Sequence, residues 1–104
     1  MDECVNAGIK PAFRGHAVKT VAEMGWKGST DNSLLTLAPD LFDIFVTIDQ
    51  KLERQNELGR IKLGFIIVHV PNNEIQSYQP LFQALLEAAA AVKAGKVVHV
   101  YSHP

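Results

Sequence analysis

The sequence predicts an α/β fold around a central, mainly parallel sheet, and three observations carry that expectation. Three short runs rich in β-branched and aromatic residues, over 43–48, 63–70 and 96–101, read as strands. These runs are apolar with little alternation, as strands are when both faces of a sheet are covered. Stretches of helical periodicity lie between them, which is the order of βαβ units.

Taken in chain order, the first expected elements are weak ones. Glu3-Cys4-Val5 reads as the tail of a strand, and residues 17–21 as a weaker strand. A helix is expected over 31–37, because Gly28-Ser29-Thr30 offers a hydroxyl to cap its first turn. A short polar helix over 52–58 closes at Gly59. The clearest helical pattern runs over 74–93, where Ile75, Tyr78, Leu81, Phe82, Leu85 and Leu86 recur at helical spacing and Gly95 follows. Pro80 lies early in that segment and marks either a kink or a new start. No repeat, low-complexity tract or linker interrupts the chain, so residues 1–104 read as a single domain.

Composition narrows the class without naming a function. Hydrophobic residues make up 47% of the 104, enough for a core. The lone cysteine, Cys4, excludes an internal disulfide framework and suits a reducing cytoplasm. Met1-Asp2-Glu3 supplies neither a basic n-region nor an apolar h-region, so no secretory signal is expected. The apolar runs are too short to span a bilayer. Eleven acidic residues against ten basic ones give a net charge of −1, without the basic excess of most duplex-binding modules.

In open α/β sheets, sites lie beyond the carboxyl ends of the strands. Asp49 directly follows the first strong strand, Asp31 opens a helix after the Gly-rich turn, and Asp2 and Glu3 stand beside Val5. Carboxylates converging on one edge would hold Mg²⁺ or Mn²⁺, which favour hard oxygen ligands. The bland alternative is that Asp49 is a turn residue and Asp31 a helix cap. Glu53 is a further candidate, four residues past Asp49 and on the same side if a helix starts there.

Other chemistry-bearing residues read as structural. His69 and His99 lie inside strands with no Cys or His at ligand spacing. Cys4 reads as a buried small hydrophobe and Trp26 as a packing residue. Lys27, Lys51, Arg54, Arg60 and Lys62 form either a basic rim for a phosphate backbone or an ordinary charged surface.

In order along nearly the whole chain, these features resemble a known family. They are Asp2-Glu3-Cys4-Val5, Gly15-His16, Thr20-Val21, Glu23-Met24-Gly25-Trp26, Gly28, Asp31, Leu34-Leu35, the run from Phe42 through Val46-Thr47-Ile48-Asp49, Pro80-Leu81, and Gly95-Lys96-Val97-Val98. The set is similar to the small bacterial PIN-like domains of VapC-type toxins. That resemblance implies a three-layer α/β/α sandwich and Mg²⁺- or Mn²⁺-dependent cleavage of RNA. It also implies a cognate antitoxin as partner, and a homodimer. Carried over residue by residue, the catalytic and metal-binding acids are Asp2, Asp31 and Asp49, with Glu3 beside the first. Thr47 matches the hydroxyl residue before the last acid, and Lys51 and Arg54 are candidates for contacting substrate.

Two departures qualify the match. Only Met1 precedes Asp2, which implies a first strand cut short at the N-terminus. No fourth acid directly follows Asp49, where Gln50, Lys51 and Leu52 stand, leaving Glu53 as the nearest. A catalytically degenerate module that binds a protein or RNA without cleaving is therefore the alternative expectation.

Overall fold

A computed structural model describes the chain apart from Glu3, Arg14, His16, His103 and Pro104, and apart from the side chain of Asp31. It is an α/β structure with a three-stranded, all-parallel sheet in the order β1-β2-β3. The strands are β1 (Ile44–Thr47), β2 (Gly64–His69) and β3 (Val97–Tyr101), each within the expected run, the first two shorter at both ends and the third at its start only. The register pairs Thr47 with Ile67 and Ile67 with His99, and it pairs His69 with Tyr101.

Residue alternation divides the core between the two sheet faces. Val46, Ile66, Val68 and Val100 pack on one side against Ile9, Phe13, Tyr78 and Leu85. Phe45 and Phe65 pack on the other side against Leu34, Leu52, Leu58 and Leu63. Burial on both faces explains why the strands read as continuous apolar runs.

Helix α1 (Asp31–Leu37) has the expected bounds, and the hydroxyl of Thr30 accepts the Ser33 N–H at 3.2 Å. Such a cap is worth about 1 kcal/mol. Helix α2 (Lys51–Gln55) ends before Gly59, contrary to expectation. Asn56 is already extended, and its side-chain amide donates to the Leu52 carbonyl at 3.0 Å. That bond satisfies a carbonyl the next turn would have used.

The long helix expected over 74–93 is broken. It divides into α3 (Ile75–Tyr78), a 3₁₀ turn (Gln79–Leu81) and α4 (Phe82–Ala91). Pro80 has no N–H to donate and its ring crowds the preceding turn, so the segment tightens there before restarting. A 3₁₀ segment at Ala7–Phe13, containing Pro11, was not expected, yet it buries Ile9, Ala12 and Phe13 against α4.

The weak strands are corrected. Residues 17–20 carry no strand assignment and Val21 begins a turn, while Cys4 and Val5 lie in a turn and a bend. Met1 and Asp2 instead run between β1 and this extended stretch. The Asp2 N–H donates to the Val46 carbonyl at 2.9 Å, and Val21 donates to the Met1 carbonyl at 2.9 Å. The Met1 ammonium donates to the Lys19 carbonyl at 2.7 Å.

Candidate functional site

The carboxyl end of β1 brings the Asp2 carboxylate and the backbone amide of Asp49 to one hydroxyl. Thr47 is fully buried, and its Oγ1 donates to Asp2 Oδ2 at 2.8 Å. The same oxygen accepts the Asp49 N–H at 3.0 Å and lies 3.6 Å from Cys4 Sγ. A threonine hydroxyl has one proton to give and two lone pairs, so all its capacity is used when Cys4 is the donor. Asp2, 7% exposed, is the one buried acid among the described residues. Its backbone is pinned to β1 by the bond to Val46, so Asp2 is held although it lies one residue from the chain start.

Asp49 turns the chain into α2. Its Oδ1 accepts the Lys51 N–H at 2.9 Å and its carbonyl accepts the Leu52 N–H at 3.2 Å. The residue is thus a turn acid in its bonding, while it stands at the sheet edge where sites form. Asp31 is the first residue of α1, directly after the Thr30 cap. Its side chain, and Glu3 altogether, lie outside the described residues. Among the described residues, no group of three or more His, Cys, Asp or Glu side chains is placed to hold a metal ion.

Glu53 has a different partner from the one its spacing suggested. Its Oε1 lies 3.0 Å from His99 Nε2, and His99 Nδ1 lies 2.8 Å from His69 Nε2. A carboxylate accepts only, so His99 donates through Nε2 and its Nδ1 accepts from His69 when both rings are neutral. The ring centroids are 5.0 Å apart, so the two nitrogens meet nearly head-on, the arrangement of a shared proton. His69 also stacks on Tyr101, with centroids 4.3 Å apart and planes 15° from parallel. Burial holds the His69 imidazole below its ordinary range, and the neighbouring His99 adds to this while Glu53 opposes it.

No ligand spacing along the chain announces this pair, since His69 and His99 are 30 positions apart. The signal lay in the alternation. Ile67 and His69 share a face of β2, and His99 and Tyr101 share a face of β3, but only the register sets them side by side.

The supporting residues divide. Lys51 and Arg54 are exposed on α2, flank a shallow hollow of about 300 Å³ with Gln55, and form no ion pair among the described residues. Arg60 instead pairs with Glu57 at 2.9 Å. Cys4 is half-buried, not fully buried as expected, and burial pushes its thiol up, against hydrogen bonding from Ile48 and Thr47. Trp26 is half-buried, edge-on to Phe42 with centroids 6.3 Å apart. No helix among the described residues is long and apolar enough to cross a membrane. Compared with protein-family models, curated proteins and solved structures, the chain matches none.

Proposed function

We propose that this protein is a metal-dependent endoribonuclease of PIN-like, three-layer α/β/α type, acting in the cytoplasm as the toxin of a toxin–antitoxin pair. Its substrate is RNA, and its partners are a cognate antitoxin and a second copy of itself. One observation carries the reading. At the carboxyl edge of a parallel sheet, the buried Thr47 hydroxyl donates to the Asp2 carboxylate and accepts the backbone N–H of Asp49, which places the two residues at one edge.

The donors at this edge are oxygens, from Asp2 and Asp49, with Asp31 and Glu3 completing the proposed set. Such donors fit Mg²⁺ or Mn²⁺. A bound divalent ion there supplies an activated water and charge stabilisation at the phosphate. The chain's own residues prepare the site. Thr47 orients the Asp2 carboxylate and fixes the backbone of Asp49. Lys51 and Arg54, exposed on α2 and without an ion pair among the described residues, attract the phosphate backbone.

The test is cleavage of a mixed RNA pool with Mn²⁺ and with EDTA, by wild type and Asp49→Ala. Wild type is expected to cleave only with metal, and Asp49→Ala to lose on the order of a hundredfold or more in rate. Cleavage that survives the substitution removes Asp49 from the site.

A second reading is favoured by the jobs these acids already do. Asp49 Oδ1 caps the first turn of α2, and Glu53 is engaged by His99. A degenerate module that binds a partner without cleaving would need no more of them. It predicts no Mn²⁺ binding by calorimetry, together with a stable complex with the product of an adjacent gene.

A further inference from the structure

The linked side chains of Glu53, His99 and His69 stand on the sheet face that α2 covers, toward the carboxyl edge. His99 pairs across the sheet with Ile67, so His69 lies one pleat further along β2, diagonal to it and on the same face. His99 Nδ1 and His69 Nε2 are 2.8 Å apart while the ring centroids are 5.0 Å apart, so the two nitrogens point at each other along one line. The His99 side chain is 30% exposed and His69 is half-buried, which leaves the pair within reach of an ion from solvent.

Each ring is prepared as a ligand. A metal-bound imidazole gives the lone pair of one nitrogen and keeps its proton on the other. Glu53 Oε1, 3.0 Å from His99 Nε2, accepts a hydrogen bond from that nitrogen and leaves Nδ1 as the lone pair. A carboxylate behind a ligating imidazole fixes its tautomer and raises its basicity. Burial holds the His69 ring below the ordinary histidine range, which keeps it neutral, as a ligand must be. The stacked Tyr101 ring, 15° from parallel and 4.3 Å away, holds the plane of His69 and leaves it free to slide within that plane. In the neutral pair His69 Nε2 carries the proton between the rings. A cation taking that place sends the proton to His69 Nδ1, so both rings stay neutral and no proton is lost.

We propose that His69 Nε2 and His99 Nδ1 hold one Cu⁺ ion in linear two-coordination, with Glu53 as the outer carboxylate. Imidazole suits copper, and coordination geometry tells ions apart. Two donors facing each other on one line are what a monovalent d¹⁰ ion accepts, whereas protein-bound Zn²⁺ takes a tetrahedral set of ligands. Among the described residues, no third His, Cys, Asp or Glu side chain is placed to complete such a set. Metal–nitrogen bonds of about 2 Å need roughly 4 Å between the nitrogens, so the rings part by about 1 Å, the in-plane slide that Tyr101 permits. The single negative charge of Glu53 offsets that of the ion. The donors are nitrogens on β2 and β3, not oxygens beside β1, so the site does not rest on the nuclease reading.

Ag⁺ is the probe, an air-stable ion with the same charge and the same linear preference. The free Cys4 thiol is a competing soft ligand, so the ion is titrated into the full chain carrying Cys4→Ser. Calorimetry is expected to find one ion per chain with Kd below about 10 μM. NMR is expected to show His69 Nε2 and His99 Nδ1 shifting selectively among the ring nitrogens. His69→Gln and His99→Gln are each expected to weaken binding on the order of a hundredfold or more. Glu53→Gln, which keeps both ligands, is expected to weaken it by about ten- to a hundredfold with the stoichiometry unchanged. No site tighter than about 10 μM overturns the proposal. So does binding that shifts other ring nitrogens, or that survives His69→Gln at full affinity. Zn²⁺ held by the pair more tightly than Ag⁺ overturns the linear geometry. The NMR readout needs no histidine variant, so it decides the question even where His99→Gln fails to fold.

Discussion

Thr47 is the residue on which the candidate site turns. Its hydroxyl serves Asp2, Asp49 and Cys4 from a fully buried position. Thr47→Val keeps the shape and removes the hydroxyl, leaving the Asp2 carboxylate one donor short. The expected loss is about 1–3 kcal/mol in urea denaturation, with Thr47→Ser much closer to wild type. His69 gives a second prediction at this scale. Its folded pKa is lowered below that of an ordinary histidine, chiefly by burial, with the neighbouring His99 adding to the shift. The unfolded chain therefore binds the proton more readily. The stability linked to His69 is fully present above the unfolded pKa and is lost as pH falls below it toward the folded value. An NMR titration should find the His69 imidazole titrating below an ordinary exposed histidine, and His69→Gln should flatten the acid side of the stability profile. An unshifted His69 would contradict the burial argument. At this scale the positions of Asp49 beyond a strand and of Asp31 at a helix start were legible, because strand ends and helix starts show in the sequence. The partnership of Glu53 with His99 was not, because it spans 46 positions and depends on how α2 lies over the sheet.

Elements were legible where local chemistry specifies them. Helix α1 has the expected bounds because Thr30 caps it locally, and the strands fall where β-branched residues cluster. The expected helix over 74–93 failed at Pro80, where the apolar spacing ran on and the hydrogen-bond ladder did not. The turn between α4 and β3 carries the prediction at this scale. Gly95 has φ +79°, and a Cβ there would stand 3.0 Å from the Gly59 carbonyl oxygen. Both the left-handed backbone and the close approach resist a side chain. Gly95→Ala is expected to cost about 1–3 kcal/mol in thermal or urea denaturation, and a neutral result would mean that the Gly59 turn moves freely.

At the scale of the molecule, the sheet divides two apolar clusters, and the first contains most of the helical packing. Leu85 of α4 is fully buried in that cluster beside residues of the sheet and of the Ala7–Phe13 segment. Leu85→Ala is expected to cost about 2–5 kcal/mol in urea denaturation, the range for a core leucine whose surroundings close only partly. A cost below about 1 kcal/mol would show that α4 is loosely held.

The class of the fold, the three strands, helix α1 and the position of Asp49 beyond a strand were all determined by the order of residues. Each depends on periodicity, capping or turn chemistry within about a dozen positions. Tertiary structure decided the rest. It set the register that joins His69 to His99 and the placement of Asp2 against Thr47. These pairings bring together residues 30 or 45 positions apart. Their partners are selected by packing and by backbone hydrogen bonds across the fold, and no local pattern encodes that choice.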